Sequence, residues 1–322
     1  MGDSVAAKLK MDFSLSAGPV TVVSPKALIK QSTLLVEQAP EWFESITNDL
    51  PESMGLLDVE IRLVKHTKDL QAVAPPGRQV PSWASGVMFP GTNIVAVALR
   101  SDQGLLNYQS TARHELAHLA LDRALGKSAK RWLHEGFAYV HSSEWEPERV
   151  NTLAAMAWSG NVFPFSDIDR RFPKAESAVN KAYAQSYDFV AFLARRGLYK
   201  ETGASGNRWP LRVFLKEISN GSTYNDAALF AYGVSFVALE NEWYENLRAR
   251  YLMIPSSLFG GLCWVLAAFA LVFGFFRKKR TNNDKLDRWE KEEEQWKHQV
   301  AFQSTPVNLH RSPELAPTKT LN

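Results

Sequence analysis

The stretch ARHELAHLALDRALGKSAKRWLHEGFAYV, residues 112–140, decides how the rest of the sequence is interpreted. It begins with the motif H-E-x-x-H, formed by His114, Glu115 and His118. Positions i and i+4 of a helix lie on one face, one turn apart. Two imidazoles at this spacing can therefore bind the same metal ion, at bond lengths of about 2.0–2.1 Å. Glu115 follows the first histidine, where a carboxylate can hold a metal-bound water and act as a general base.

The residues around the motif favour a helix. Residues 108–126 place Leu116, Leu119 and Ala120 along one apolar side, and Gly126 is a suitable end for the helix. The alternative interpretation is a surface helix on which histidine and glutamate side chains meet by chance. Charged groups on an otherwise apolar helix are costly to bury without partners. A metal ion would provide such partners.

A catalytic zinc site needs a third protein ligand besides the two histidines. The extension H-E-x-x-H-x-x-G-x-x-H is excluded, because Leu121 and Ala124 stand where glycine and histidine would be needed. The next candidates are His134 and Glu135, on a second helix that we expect to begin near Ser128. The intervening segment is long enough for the first helix to end and the second to pack back against it. The spacing alone leaves both candidates open.

The part of the chain before this stretch has the sequence patterns of strands, and the part that follows has the patterns of helices. Residues 21–26, 56–64 and 93–99 have the β-branched composition or the alternation of strands. From about Tyr108 onward the pattern becomes helical. We therefore expect an α+β fold, with a small sheet-containing N-terminal lobe and a helical C-terminal lobe. No internal repeat is present.

Composition narrows the possible classes of site. The 322 residues include a single cysteine, Cys263, so an intramolecular disulfide and a cysteine-based zinc site are both excluded. Any metal must be bound by His, Asp or Glu. The net charge of +3, with both signs well mixed, gives no reason to expect a nucleic-acid surface.

A long apolar segment near the C-terminus predicts a transmembrane helix. Residues 252–276 contain no charged side chain, and a span of about 20 apolar residues crosses a bilayer as a helix. The basic run RKKR, residues 277–280, follows at once, and the positive-inside rule then places the tail in the cytoplasm. The preceding domain would be extracytoplasmic, periplasmic in a Gram-negative bacterium.

That topology requires an export signal, and residues 1–20 contain no apolar stretch. Ala6 also stands where a myristoylation signal needs Ser or Thr. Either the natural signal is missing from this chain or the domain is cytoplasmic and tail-anchored. The tail of residues 277–322 is long for a tail anchor, which favours a missing signal. It has a charged helical part, 284–299, and a Pro- and Ser-rich part expected to be disordered, and its cytoplasmic partner is unknown.

The motif pair HELAH and RWLHEGFAYV resembles the gluzincin metallopeptidases, in which H-E-x-x-H is followed by W-L-x-E-G-x-A. The resemblance is closest to the peptidase MA-like proteins, which are related to the M1-type aminopeptidases. It implies that Glu135 is the third zinc ligand, that His134 lies beside the site, and that Gly136 lets two helices approach closely. It extends over roughly residues 12–250.

Further residues follow from the same resemblance. KAYAQSYDFVAFL, residues 181–193, is similar to the helix that follows the zinc site in these families, where a tyrosine stabilises the oxyanion. Tyr183 takes this position, and Tyr187 is a weaker candidate. Residues 83–99 are similar to the edge strand along the substrate cleft. The aminopeptidase signature Gly-x-Met-x-Asn is interrupted after Met88, which argues against recognition of a peptide N-terminus.

The sequence therefore predicts a membrane-anchored zinc metallopeptidase with four segments: an extension (1–11), a peptidase domain (12–250), a membrane helix (252–276) and a tail (277–322). One Zn²⁺ would be bound by His114, His118 and Glu135, with Glu115 as general base and Tyr183 as oxyanion donor. The expected substrate is a peptide or protein. Two alternatives stay open. One is a non-catalytic metal-stabilised binding or signalling module, and the other is a zinc hydrolase of a non-peptide bond.

Overall fold

The structure is a computed structural model of the chain. It describes residues 9–51, 58–102, 104–142, 147–170, 173, 175–199, 209–252 and 264–278. The chain divides into two compact units, Met1–Met253 and Ile254–Asn322.

The first unit begins with a mixed sheet. Its strands in the described residues are β1 (Phe13–Ala17), β2 (Val20–Ser24), β3 (Val59–His66), β4 (Gly86–Met88), β5 (Ile94–Ser101) and β6 (Gly104–Leu105). The strand order is β1-β2-β3-β5-β4, and β6 pairs with the far end of β5. The predicted strands at 21–26, 56–64 and 93–99 are confirmed as β2, β3 and β5, although residues 56 and 57 lie outside the described residues.

The pairing of the strands explains their composition. β2, β3 and β5 are mutually parallel, and β1 and β4 pair antiparallel to their neighbours. Strands inside a parallel sheet are covered on both faces, so they are apolar almost throughout. Val95, Ala96 and Val97 of β5 are accordingly all buried, whereas no residue of the short β4 is. β4 is therefore an edge strand, with one side available for another chain.

The helices of the first unit follow mostly after the sheet. They are α1 (Ile29–Thr47), α2 (Tyr108–Leu125), α3 (Arg131–Ser142), α4 (Pro147–Ser159), α5 (Phe165–Arg170), α6 (Glu176–Tyr199), α7 (Trp209–Ser219), α8 (Tyr224–Tyr232) and α9 (Phe236–Leu252). α1 makes the crossover between the parallel strands β2 and β3, which a tight turn cannot connect. The α+β class, with a sheet lobe followed by a helical lobe, is confirmed.

Helix α2 lies where the two lobes meet. It packs against α1, β4 and β5 on one side and against α3 on the other. The Asn107 side chain caps its start by accepting a hydrogen bond from the Ser110 N–H at 3.2 Å. It ends at Gly126, whose φ of +54° is one that L side chains rarely adopt. The predicted end at Gly126 is therefore confirmed, and the next helix begins at Arg131, slightly later than the expected Ser128.

An aromatic cluster fixes α3 in the helical lobe. Trp132 is fully buried, with ring centroids 5.2 Å from both Phe165 and Phe189. Burial of rings of this size dominates the energetics of a core. Trp243 also packs on Phe189, and its indole N–H donates to the Asp188 carboxylate at 2.8 Å. These contacts hold α3 and α6 together and set the position of the residues that follow Trp132.

The second unit has residues 264–278 as a helix. Its large apolar side chains are exposed, among them Trp264 at 79% and Leu271 at 76%. Residues 253–263 of the predicted membrane span, the charged segment at 284–299 and the rest of the tail lie outside the described residues. Within the described part of the chain, no helix combines the length and the apolar character needed to cross a membrane.

Candidate metal centre and active site

Helix α2 brings the two histidines of the H-E-x-x-H motif together. The Nε2 atoms of His114 and His118 are 3.1 Å apart, and the two rings meet edge to face. The helical spacing that the motif predicted is the reason for this approach. Both side chains point into a cleft of about 660 Å³ between β4 and the start of α3.

Helix α3 supplies the third group. Glu135 Oε2 lies 3.7 Å from His118 Nε2, and one ligand atom from each of His114, His118 and Glu135 lies within 4.8 Å of the others. Ligand atoms about 2.0–2.1 Å from a tetrahedral zinc would be separated by roughly 3.3 Å. The spacing therefore suits a metal ion. His134 lines the same cleft with its ring centroid 5.7 Å from that of His118, but the group includes Glu135 and not His134.

The protonation preferences of this group also suit a metal. Burial lowers the pKa of His114 to about 4, with a further contribution from the Arg149 charge, and burial lowers that of His118 as well. Both imidazoles are therefore neutral at pH 7, which is the form that binds metals. Burial raises the pKa of Glu135 to about 7. A bound cation would act against that rise, because a nearby positive charge favours a carboxylate.

Glu115 lies beside the three groups without joining them. It is only 8% exposed and lines the cleft. Burial and, to a smaller extent, the Glu135 charge raise its pKa to about 8, although a hydrogen bond from the Met88 backbone N–H opposes the rise. Gly86 is required opposite it, because a Cβ there would lie 2.5 Å from Thr111 Cγ2 and 3.0 Å from Glu115 Cγ. The edge strand β4 thus packs directly on the carboxylate.

Gly136 lets α3 and α6 come into close contact next to Glu135. A Cβ at this position would overlap the Ser186 carbonyl oxygen and lie 2.6 Å from Val190 Cγ2. The close approach expected from the E-G pair is therefore confirmed, with α6 as the partner helix. It brings the first half of α6 to the wall of the cleft.

Tyr183 is the residue of α6 that reaches the cleft. The Arg131 side chain donates a hydrogen bond to its hydroxyl. Burial and the Glu135 charge raise the pKa of Tyr183, while Arg131 opposes the rise. The Tyr139 ring contacts both Tyr183 and His114, with centroid distances of 5.6 Å and 4.7 Å.

The second tyrosine of α6 has a different neighbour. The Tyr187 ring lies 4.6 Å from the Arg149 guanidinium carbon. Among the described residues around the metal cleft, Tyr183 is present and Tyr187 is not. Of the two tyrosines that the sequence suggested, Tyr183 therefore lines the metal cleft and Tyr187 does not.

The wall opposite α6 is the edge strand expected at residues 83–99. Ser85, Gly86, Val87 and Met88 all line the cleft, and the exposed side of β4 faces it. Trp83 stands at the rim with 78% of its surface exposed. The expectation that this strand borders the cleft is confirmed.

The family model of the Peptidase MA superfamily matches residues 58–249, more than half of the 322-residue chain. The chain belongs to the peptidase MA superfamily. This confirms the gluzincin-type resemblance and makes the protein a hydrolase of the peptidase type, in a superfamily that is generally metal-dependent. A comparison with the curated proteins finds no match.

Three residues of this region were missed by the sequence reasoning. Arg131 and Tyr139 line the metal cleft, and Arg149 is buried behind Tyr139. Arg131 and Tyr139 lie one helical turn before and after Glu135, so the i±4 rule would have placed both beside it. No comparable pattern in the sequence indicates Arg149.

Proposed function

We propose that the protein is a membrane-anchored zinc metallopeptidase that hydrolyses peptide bonds. The observation that carries this proposal is the convergence of His114, His118 and Glu135 within 4.8 Å, with the Glu115 carboxyl beside them in an open cleft. A structural site closes all metal positions with protein ligands, whereas a catalytic zinc site has three and leaves one open. A metal site that only stabilises the fold would also not need a general base such as the buried Glu115.

The donor set favours zinc among the possible ions. Two neutral imidazoles and one carboxylate form the His₂Glu set of catalytic zinc sites. Bound there, zinc would lower the pKa of a water to about 7 and polarise the carbonyl group under attack. All three proposed ligands are His or Glu, which agrees with the composition, since a single cysteine excludes a cysteine-based zinc site.

Glu115 is the general base in this proposal. Its carboxylate accepts the proton of the attacking water and passes it to the nitrogen of the leaving amine. The Met88 N–H, which donates to this carboxyl, holds it at the wall of the cleft. Burial raises its pKa, and a bound zinc ion would act against that rise and favour the carboxylate that a general base requires.

Tyr183 is the proposed oxyanion donor, assisted by Arg131. Because Arg131 donates to the phenolic oxygen, the phenolic proton can be donated to another acceptor. The positive charge of Arg131 also lies near the place where negative charge would develop. Donors fixed in advance around such a charge are typically the largest contribution to catalysis.

The substrate chain would lie along β4. An edge strand offers backbone N–H and C=O groups to an extended peptide, and pockets on either side of it select side chains. β4 runs from Gly86 to Met88 directly over Glu115, so a peptide paired with it would pass the metal group. The exposed Trp83 ring at the rim offers an apolar contact to such a chain.

The membrane anchor in this proposal rests on the sequence of residues 252–276 and the basic run after it. Its support among the described residues is the helix 264–278, whose large apolar side chains are exposed, including Phe269 at 69% and Phe273 at 71%. Apolar surface of this extent is normally covered by protein or lipid. Basic residues on the C-terminal side favour a cytoplasmic tail and an extracytoplasmic peptidase domain.

The decisive experiment exchanges Glu115 for glutamine in the purified full-length protein. Glu115→Gln keeps the size and hydrogen-bonding reach of the side chain but cannot accept the proton from water. We expect unchanged zinc content and a loss of peptide hydrolysis by about 10²–10⁴-fold. Glu245→Gln, at a carboxylate with 71% of its surface exposed, is the matched control and should retain full activity. Equal hydrolysis by Glu115→Gln and wild type would contradict the role of Glu115 as general base, whereas no hydrolysis by the zinc-loaded wild type would favour the binding module.

A further inference from the structure

A second pocket opens on the far side of the tyrosines that line the metal cleft. It has a volume of about 260 Å³ and shares Tyr139 and Tyr183 with that cleft. The remaining lining residues come from α4 and from the same face of α6: Glu148, Arg149, Thr152, Asn180 and Ala184. The volume is enough for one amino-acid residue or side chain.

Arg149 is the charged wall of this pocket. Only 7% of its surface is exposed, and its guanidinium carbon lies 4.5 Å from the Tyr139 ring centroid and 4.6 Å from that of Tyr187. Two aromatic faces around one guanidinium are attractive through cation–π interactions and hold its plane in a fixed orientation. The pocket therefore has a pre-oriented fork of N–H donors.

The position of Arg149 relates it to the proposed reaction. The Tyr139 ring contacts both groups: its centroid lies 4.7 Å from that of His114, a proposed metal ligand, and 4.5 Å from the guanidinium carbon of Arg149. An extended peptide advances about 3.3–3.6 Å per residue. A substrate whose scissile bond lies at the metal group can therefore reach Arg149 within about three residues.

We propose that Arg149 and its pocket bind a carboxylate of the substrate, located one to three residues from the scissile bond. This inference rests on the peptidase function proposed above and gives it a substrate class. A planar guanidinium binds a carboxylate through two parallel N–H···O bonds, which are stronger than neutral hydrogen bonds. The carboxylate is either the C-terminus of the peptide or an Asp or Glu side chain.

The surroundings of Arg149 fit an anion better than a cation. Thr152 and Asn180 add neutral polar side chains to the pocket lining. Glu148 carries the opposite charge, but its side chain is exposed and solvent screens its electric field. The field of the buried Arg149 is screened much less. Arg149 also has further polar interactions within the protein, and its five N–H donors allow more than one acceptor at once.

The test uses the wild-type full-length protein, loaded with zinc, and matched peptides. One neutral, amidated peptide that the enzyme cleaves is the reference. One set carries Asp in place of Asn at each of the three positions on either side of the scissile bond. The peptides of the other set end one to three residues after the scissile bond and have a free C-terminal carboxylate in place of the amide. We expect kcat/KM to rise about ten- to a hundredfold for a carboxylate at one position, which identifies its source.

The variants assign the preference to Arg149. Arg149→Met keeps a long side chain but removes the charge, so the ratio of kcat/KM for the acidic and neutral peptides should fall to about 1. Arg149→Lys keeps the charge without the planar fork and should retain part of the ratio. Arg195→Met removes an exposed charge of the same type and should leave the ratio unchanged.

The outcomes separate this inference from the proposed function. If the wild type cleaves acidic and neutral peptides equally well, or if Arg149→Met keeps the preference, the inference is wrong while the peptidase function stands. If no peptide is cleaved, the proposed function fails, and binding of the labelled acidic and neutral peptides to Glu115→Gln protein still decides the role of Arg149. If Arg149→Met does not fold, two other results decide the role of Arg149. They are the wild-type comparison of acidic and neutral peptides and the kcat/KM ratio that Arg149→Lys retains.

Discussion

Gly136→Ala tests whether the close contact of two helices positions the metal group. The added Cβ would overlap the Ser186 carbonyl oxygen and approach Val190 Cγ2 to 2.6 Å. Val190 can adjust its rotamer, but the Ser186 carbonyl is part of the backbone of α6 and cannot turn away. The two helices must therefore move apart, and Glu135, the neighbour of Gly136, must move with α3.

The size of the effect follows from two opposing contributions. Forcing extra atoms into a well-packed core typically costs about 1–3 kcal/mol. Alanine in place of glycine inside a helix stabilises the folded state by about 1 kcal/mol, because alanine has the higher helix propensity. We expect the steric contribution to win, because the obstacle is backbone, and the free energy of unfolding to fall by about 1–2 kcal/mol. Zinc affinity should fall as well, because Glu135 is displaced.

The assay is urea unfolding of the full-length protein, followed by tryptophan fluorescence, together with zinc affinity from competition with a chelator. The matched control is Gly274→Ala, a helical glycine where a Cβ would have no atom within 4 Å. This control should not lower stability or change zinc affinity. If Gly136→Ala unfolds at the same urea concentration as the wild type and binds zinc equally well, the packing argument is wrong.

Three further predictions concern the site and the topology. Glu135→Ala should lose zinc while His134→Ala retains it, measured as metal content after dialysis; the reverse result would make His134 the third ligand. Tyr183→Phe should lower kcat by about 10²–10³-fold with little change in KM in steady-state assays, and an unchanged kcat would exclude it as oxyanion donor. Protease added to intact spheroplasts should remove residues 12–250 and spare a C-terminal epitope, whereas the opposite protection would indicate a cytoplasmic domain.

The parts of the site that the sequence predicts are those set by local geometry. His114 and His118 lie one turn apart on a single helix, so their approach follows from helical periodicity alone. Glu135 was one of two adjacent candidates, and the choice between it and His134 came from the family motif. Strands β2, β3 and β5 were also predictable: β5 is apolar almost throughout, as expected inside a parallel sheet, β2 is rich in β-branched residues, and β3 alternates between apolar and charged residues.

The remaining parts depend on contacts between distant segments. Strand β1 was not predicted, because it has only five residues and two of them are serines, so its alternating pattern is weak. Arg149 reads in the sequence as an ordinary surface charge, and only the packing of α3 and α6 shows that Tyr139 and Tyr187 surround it. Such an arrangement has no local signature, because its members come from different helices.

The three proposed metal ligands come from two consecutive helices joined by a short turn at Gly126, all between positions 114 and 135. The entropy lost on closing a loop grows with its length, so these three side chains can meet early and at low entropic cost. The other groups of the proposed site come from more distant segments, because Tyr183 reaches the cleft only when α6 docks at Gly136. We therefore expect a folding chain to be able to bind the proposed zinc ion before the groups proposed for catalysis are in place.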